Sequence, residues 1–256
     1  MAASLVLATP APAAAPRRVA SLNLCTDELV LALAAPEQVL SVTHLAQDPS
    51  ETPLWRQARR FRRNDGSLMS VAALRPDLVV TMGGGARDRL RIAARLGILA
   101  LDLPFAQTLG DLEVSIRRLA AALGRPEQGA ALLRRLAALR ATAPPARTDT
   151  LWLGGGGRTV SAAGLEAQWM ALAGLRQRAV QGDRISLETL IARPPAVLLR
   201  SDYRQGQYSA AQRWLAHPLV RRARGSRTLA TDGRRWTCMG PLLIGEIERL
   251  RRELAR

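Results

Sequence analysis

Two cysteines, two histidines and two glycine-rich loops are the groups in this 256-residue chain whose types could do chemistry. Three states are open to Cys25 and Cys238: two free thiols, the state expected here; a disulfide, which needs Cα atoms within about 7 Å; or soft ligation of a metal ion. The chain has no C-x-x-C pair, and His44 and His217 do not cluster, so neither a protein-bound metal site nor a resident cofactor is expected. Gly83-Gly84-Gly85 and Gly154-Gly155-Gly156-Gly157 match neither a full dinucleotide fingerprint nor a phosphate loop. Their expected role is close approach of backbone to a large planar ligand. Asp27 and Glu28 adjoin on a helix and so face different neighbours, which does not suit paired acid–base work. No G-x-S-x-G elbow is present, and no catalytic residue is assigned.

These groups must be positioned by alternating strands and helices. Apolar runs at 19–22, 39–42, 78–82 and 98–101 read as buried strands, with helices at 28–34, 67–74 and from the glycines at 83–85 to Leu96. Thr26 or Asp27 is the expected cap of the first helix, and residues 44–66 read as a polar loop. From 108 to 142 the strand signal disappears. Leu112, Ile116, Leu119 and Leu123 form one helical stripe, Gly124 stops it, and Pro126 suits the first turn of a second helix. The alternation then resumes, with strands at 150–153, 196–199 and 228–230 and helices at 165–173, 187–191, 210–215 and 241–254. The expectation is α/β: two doubly wound lobes of parallel sheet, 17–107 and 147–256, joined through a helical segment at 108–146. Ligands of open parallel sheets sit outside the carboxyl ends of the strands, so two such lobes can share a cleft.

Composition narrows the classes. The formal net charge is +16, and every basic residue is Arg. Pairs such as Arg62-Arg63, Arg134-Arg135 and Arg251-Arg252 are dispersed along the chain, and aromatic content is only 4%. Nucleic-acid binders cluster their basic residues and interleave aromatics, so no nucleic-acid partner is expected. Residues 1–16, an apolar stretch followed by alternating Pro and Ala, resemble the end of a secretory signal peptide, with Ala11-Pro12-Ala13 as the cleavage site. Export would expose the cysteines to an oxidising compartment.

Arg18-Val19-Ala20-Ser21-Leu22-Asn23-Leu24-Cys25-Thr26-Asp27-Glu28-Leu29 resembles the opening strand and helix of periplasmic substrate-binding proteins for cobalamin, haem and ferric siderophores. Leu74-Arg75-Pro76-Asp77-Leu78-Val79, Leu96-Gly97-Ile98, 151–157 with 163–175, and Ser186-Leu187-Glu188-Thr189-Leu190 are similar to later segments of that family, in order, across 18–254.

The resemblance implies a binding component of an ABC importer, monomeric and periplasmic. It would capture a metal chelate between two lobes joined by one rigid helix, here 126–142, and pass it to the permease and its ATPase. A two-lobed enzyme acting on a small anionic or tetrapyrrole substrate is the alternative. By the family layout Asn23, Leu24, Cys25, Thr26, His44, Gly83, Gly84, Gly156, Arg200, Tyr203, Trp236 and Cys238 fall on cleft-facing loops and are the implied ligand contacts. A Cys25–Cys238 disulfide would tie one lobe to the other. Trp152, Tyr203, Tyr208 and Trp236 are the aromatics implied to stack on a macrocycle, and Arg200, Arg204 and Arg235 could pair with ligand carboxylates. Met82 and Arg184 stand where cobalamin binders have tryptophan. Asp88 and Glu188 occupy the positions implied to meet permease arginines.

Overall fold

The computed structural model describes residues 14–83, 87–202, 217–221 and 225–256. Strands β1 (Val19–Ser21), β2 (Val39–Thr43), β3 (Arg62–Asn64), β4 (Leu78–Met82) and β5 (Leu99–Leu103) form one sheet in the order β3-β2-β1-β4-β5. Every pairing in it is parallel. Between these strands lie α1 (Leu24–Leu33), α2 (Trp55–Ala58), α3 (Leu68–Ala72) and α4 (Arg87–Arg95). A second sheet, also wholly parallel, orders β6 (Thr148–Leu153), β7 (Leu175–Gln177), β8 (Val197–Asp202) and β9 (Arg227–Asp232) as β7-β6-β8-β9. Its helices are α7 (Leu165–Ala171), α8 (Leu187–Ala192) and α9 (Pro218–Arg221), and α10 (Leu242–Leu254) closes the chain.

Both sheets are buried on two faces, which is why their strands read as continuous apolar runs rather than alternating ones. Successive residues point to opposite faces. Val19, Leu78 and Val80 therefore enter one cluster while Ala20, Leu22 and Val79 enter another with Leu68, Val71 and Ile98. In the second lobe Val197, Leu199 and Leu229 face inward, and Leu151, Leu153 and Leu198 pack outward against Ile185, Leu190 and Val220. The inward faces of both lobes belong to a single cluster, completed by α1, α7, α10 and the helical hairpin between the lobes.

That hairpin is α5 (Leu109–Ala122) and α6 (Pro126–Ala141). Thr108 caps α5 by accepting from Asp111 N–H, while Asp111 accepts from Thr108 N–H, a reciprocal capping box. At the other end Arg125 N–H reaches Ala120 C=O at 2.8 Å, with Gly124 between them at φ +66, so the turn uses the left-handed state glycine adopts without strain. Gly129 of α6 lies against Ala120 of α5: a Cβ there would come within 2.5 Å of the alanine methyl.

Three expectations need correction. The first helix begins at Leu24, not at residue 28, because the Asn23 carboxamide accepts from Cys25 N–H at 2.8 Å and starts the helix four residues earlier. Thr26 and Asp27 thus lie inside the first turn, both buried. Residues 44–66, read as loop, contain α2 and the edge strand β3, whose Asn64 side chain donates to Ser21 C=O at 2.9 Å. Strand β7 carries only three residues, too few for a periodic signal, and went unread. The helix expected at 210–215 lies outside the described residues.

Candidate functional site

The strand orders locate the site. In the first sheet the chain leaves β1 for β2 on one side and later returns on the other as β4; in the second it leaves β6 for β7 and returns as β8. A crevice opens at the carboxyl ends where the winding direction switches. In the first lobe that point lies between Ser21 and Met82; in the second, between Leu153 and Ser201.

A cavity occupies each point. The second-lobe cavity, about 480 Å³, is lined by Trp152, Gly154, Arg158, Glu166, Asp183, Ser201 and Trp236, among others. The first-lobe cavity, about 240 Å³, is lined by Cys25, Met82, Phe105, Gln107, Ser115 and Cys238, among others. Thr237 and Met239 line both. The two cavities are therefore halves of one interlobe cleft, and the segment Thr237-Cys238-Met239-Gly240, through Thr237 and Met239, forms the wall between them.

The wall is fastened from several directions. Cys238 forms a disulfide with Cys25 in the first turn of α1, with Cα atoms 5.0 Å apart, so the expectation of two free thiols is corrected. Topology brings together two loops that sequence spacing leaves unrelated. Trp169 of α7, fully buried, donates its Nε1–H to Met239 C=O at 3.0 Å. Glu28 of α1 accepts from Leu242 N–H at 3.0 Å, at the start of α10. A Cβ on Gly240 would stand 2.5 Å from Glu28 Oε1, so a side chain there would displace the carboxylate from its present place. Met239 has φ +50, a left-handed state that non-glycine residues seldom adopt. Burial pushes the Glu28 carboxyl up to about 7; the Leu242 N–H and the charge of Arg235 act against that rise. Burial likewise pushes Asp27 up to about 7, opposed by hydrogen bonds from Ser21 and from the Thr43 hydroxyl and N–H. The adjacent carboxylates thus face different elements, β2 and α10.

The remaining implied contacts are distributed unevenly. Thr26 is completely buried, its hydroxyl bonded to Ser21 Oγ at 2.8 Å and to Asn23 C=O at 2.9 Å. The Asn23 carboxamide oxygen is engaged in capping, and Leu24 packs against the core. Trp236 lines the second cavity with its ring largely buried; its Nε1–H donates to Thr231 at 2.8 Å and its centroid lies 6.4 Å from that of Trp152, edge to face. His44 is half-buried at the carboxyl end of β2 and does not line either half-cleft. Gly83 has φ +115 and leaves room for Phe105, whose ring a Cβ would meet at 2.8 Å. Gly156 turns at φ +67, while Gly154, from the same loop, lines the second-lobe cavity. Arg200 pairs with Leu153 in register, so it lies on the sheet face opposite Trp152. Arg235 approaches Glu246 at 3.8 Å. Gly84, Tyr203, Arg204 and Tyr208 lie outside the described residues.

Asp88 and Glu188 both sit exposed in the first turn of a helix, in α4 and α8. Each of those helices follows a strand of a parallel unit, so both acids lie at the carboxyl, cleft-side end of their lobes. Local hydrogen bonding, chiefly to backbone and to Ser186, lowers the Glu188 carboxyl.

Sequence reasoning missed Phe105, Met239, Glu166 and Asp183. Phe105 was accessible to it: Pro104 ends β5, and the residue just past a parallel strand's carboxyl end faces the crevice. Met239 had no such signal, because its place depends on a contact between the ends of the chain. Among the described residues no group of three or more His, Cys, Asp or Glu could hold a metal ion.

The profile of the periplasmic binding protein family matches residues 19–224. Comparison with curated protein sequences gives no match. Several solved structures share the fold. The periplasmic heme-binding protein RhuT of Roseiflexus sp. RS-1 superposes with a TM-score of 0.66 at 23% identity, over 92% of this chain and 98% of that one. The periplasmic vitamin B12 binding protein BtuF of Vibrio cholerae gives 0.64 at 18%, over 94% and 97%. An ABC-type Fe3+-hydroxamate transport system protein of Saccharomonospora viridis DSM 43017 gives 0.63 at 19%, over 94% of each.

Proposed function

Because the chain belongs to the periplasmic binding protein family, we propose that it captures a metal chelate in the interlobe cleft and delivers it to an ABC permease. The observation that carries this reading is the cleft itself: two cavities, about 480 and 240 Å³, open at the carboxyl ends of two parallel sheets and meet at one wall. Their combined size suits a ligand larger than an amino acid or simple ion. The structurally similar proteins named for heme, vitamin B12 and Fe3+-hydroxamate support the ligand class. Trp152, Trp236, Phe105 and Met82 supply apolar and aromatic surface, and Arg158, Glu166 and Asp183 supply charge of both signs.

The protein acts by binding, returning its ligand unchanged, as a monomer in the periplasm. An interlobe disulfide suits an oxidising compartment, and no helix among the described residues is long and apolar enough to cross a membrane. Asp88 and Glu188, exposed on the cleft side of each lobe, orient the protein on permease arginines.

Titration with hemin, cobalamin and a ferric trihydroxamate, followed by quenching of Trp152 and Trp236, tests the reading. One compound is expected to saturate at one to one with a Kd between micromolar and nanomolar, about −8 to −12 kcal/mol. No saturable binding by any of the three overturns it.

A further inference from the structure

The family match ends at residue 224, ahead of the wall that joins the two half-clefts. That wall, residues 237–240, is a short irregular segment between the 3-10 turn Gly233–Trp236 that follows β9 and the start of α10. Segments of this kind are usually the least fixed part of a fold, yet two residues of this one, and the first residue of the helix that follows it, are each held by a different device. Cys238 is covalently attached to α1, Met239 C=O is held by Trp169 of α7, and the Leu242 N–H is held by Glu28. Gly240 lies against the Glu28 carboxylate, which a Cβ there would have to displace. The result keeps Met239 at φ +50, between the two cavities and lining both. An unfavoured backbone state persists only where its surroundings over-determine it, and here the cross-link and the two hydrogen bonds do so.

The core does not need this cross-link to unite the lobes, since one apolar cluster already runs through both. The disulfide is instead placed at the site, with both sulfur-bearing residues lining the first-lobe cavity. We propose that Cys25 and Cys238 are positioning residues of the ligand site. Their disulfide fixes Thr237 and Met239 as a preassembled wall, so the ligand meets both half-clefts already in register, and the lobes do not part along this wall during uptake or release. Preassembly of this kind raises affinity by removing the ordering that binding would otherwise require. The inference rests on the reading that this cleft holds the transported ligand.

The test compares the oxidised protein with the C25S/C238S double variant, at a temperature well below the melting point of each. Affinities for hemin, cobalamin and a ferric trihydroxamate are measured beside hydrogen exchange of the amides at 237–242. For whichever compound binds the oxidised protein, affinity is expected to fall about tenfold or more. The 237–242 amides should lose protection while those of β1, β4, β6 and β8 keep theirs. A lower melting temperature with unchanged affinity and unchanged wall protection overturns the proposal, leaving the cross-link a stabilising staple. Should the double variant not fold, W169F keeps the disulfide and removes the bond to Met239 together with part of a buried ring. It is expected to weaken binding about three- to tenfold, and an affinity equal to the parent's counts against the proposal. If the oxidised protein binds none of the three compounds, the ligand-class reading fails, and hydrogen exchange alone decides whether the cross-link orders the wall.

Discussion

Asp27 and Glu28 carry the clearest consequence at the scale of single residues. Both are buried, and burial lifts both carboxyls from ordinary values of 3.8 and 4.5 to about 7. A raised carboxyl pKa means that the folded state binds a proton which the unfolded state has already released. The stability these groups contribute is complete below about pH 4 and is lost as pH rises through about 7. Denaturant melts should therefore give the parent a higher stability at pH 5 than at pH 8, with a smaller difference in D27N and in E28Q. An equal difference in all three proteins would refute that origin. Glu28 also separates charge from hydrogen bonding. E28Q keeps an acceptor for Leu242 N–H and should cost little at pH 8. E28A orphans that buried donor and should cost about 1–3 kcal/mol by the same melts.

At the scale of elements, the α5–α6 hairpin sets propensity against packing. Alanine favours a helix over glycine by about 1 kcal/mol, which predicts a gain for G129A. Contact predicts the opposite, because the new methyl would stand 2.5 Å from the Ala120 methyl. Both neighbours are helical backbone, with little freedom to yield, so the expected result is a net loss of about 1–3 kcal/mol in thermal or denaturant melts. The opening cap is the milder case: T108A removes the acceptor for Asp111 N–H and should cost about 1 kcal/mol. These helices, with α7 and α10, were readable from apolar spacing and from Gly124, Pro126 and Pro241, since their signals are local. Strands β3 and β7 were not. Each has three residues, and β3 places Arg62 and Arg63 on an exposed edge, where the polar sequence of a strand is that of a loop.

At the scale of the whole molecule, the lobes are held by more than their connector. Arg251 of α10 donates to Leu172 C=O at 2.6 Å, to Leu139 C=O at 2.5 Å and to Thr142 Oγ1 at 2.9 Å, tying the last helix to α6 and to the end of α7. Replacing it by methionine keeps the apolar stem and removes the fork, so R251M should destabilise by about 2–3 kcal/mol in equilibrium unfolding. The disulfide closes a loop between residues 213 apart, and its reduction should cost about 2–5 kcal/mol. That loss reads as a lower melting temperature under a phosphine reductant, absent in C25S/C238S. With one cluster spanning both lobes, unfolding is expected to be a single transition; calorimetry resolving two would count against that unity.

The sequence by itself determined the α/β class, the parallel character of both sheets and the helical segment between them. Each of these follows from patterns within one element or from the order of elements along the chain. Only the tertiary structure decided that Cys25 meets Cys238, that the Thr26 hydroxyl is consumed inside α1, that Asn23 starts that helix, and that Met239 stands between two half-clefts. The physical reason is the range of the forces involved. Hydrophobic periodicity and turn chemistry act over a few residues and leave a mark at every repeat. A cross-link, a buried carboxylate and a shared wall depend on which distant surfaces the completed sheets bring within a few ångströms, and no spacing along the chain records that.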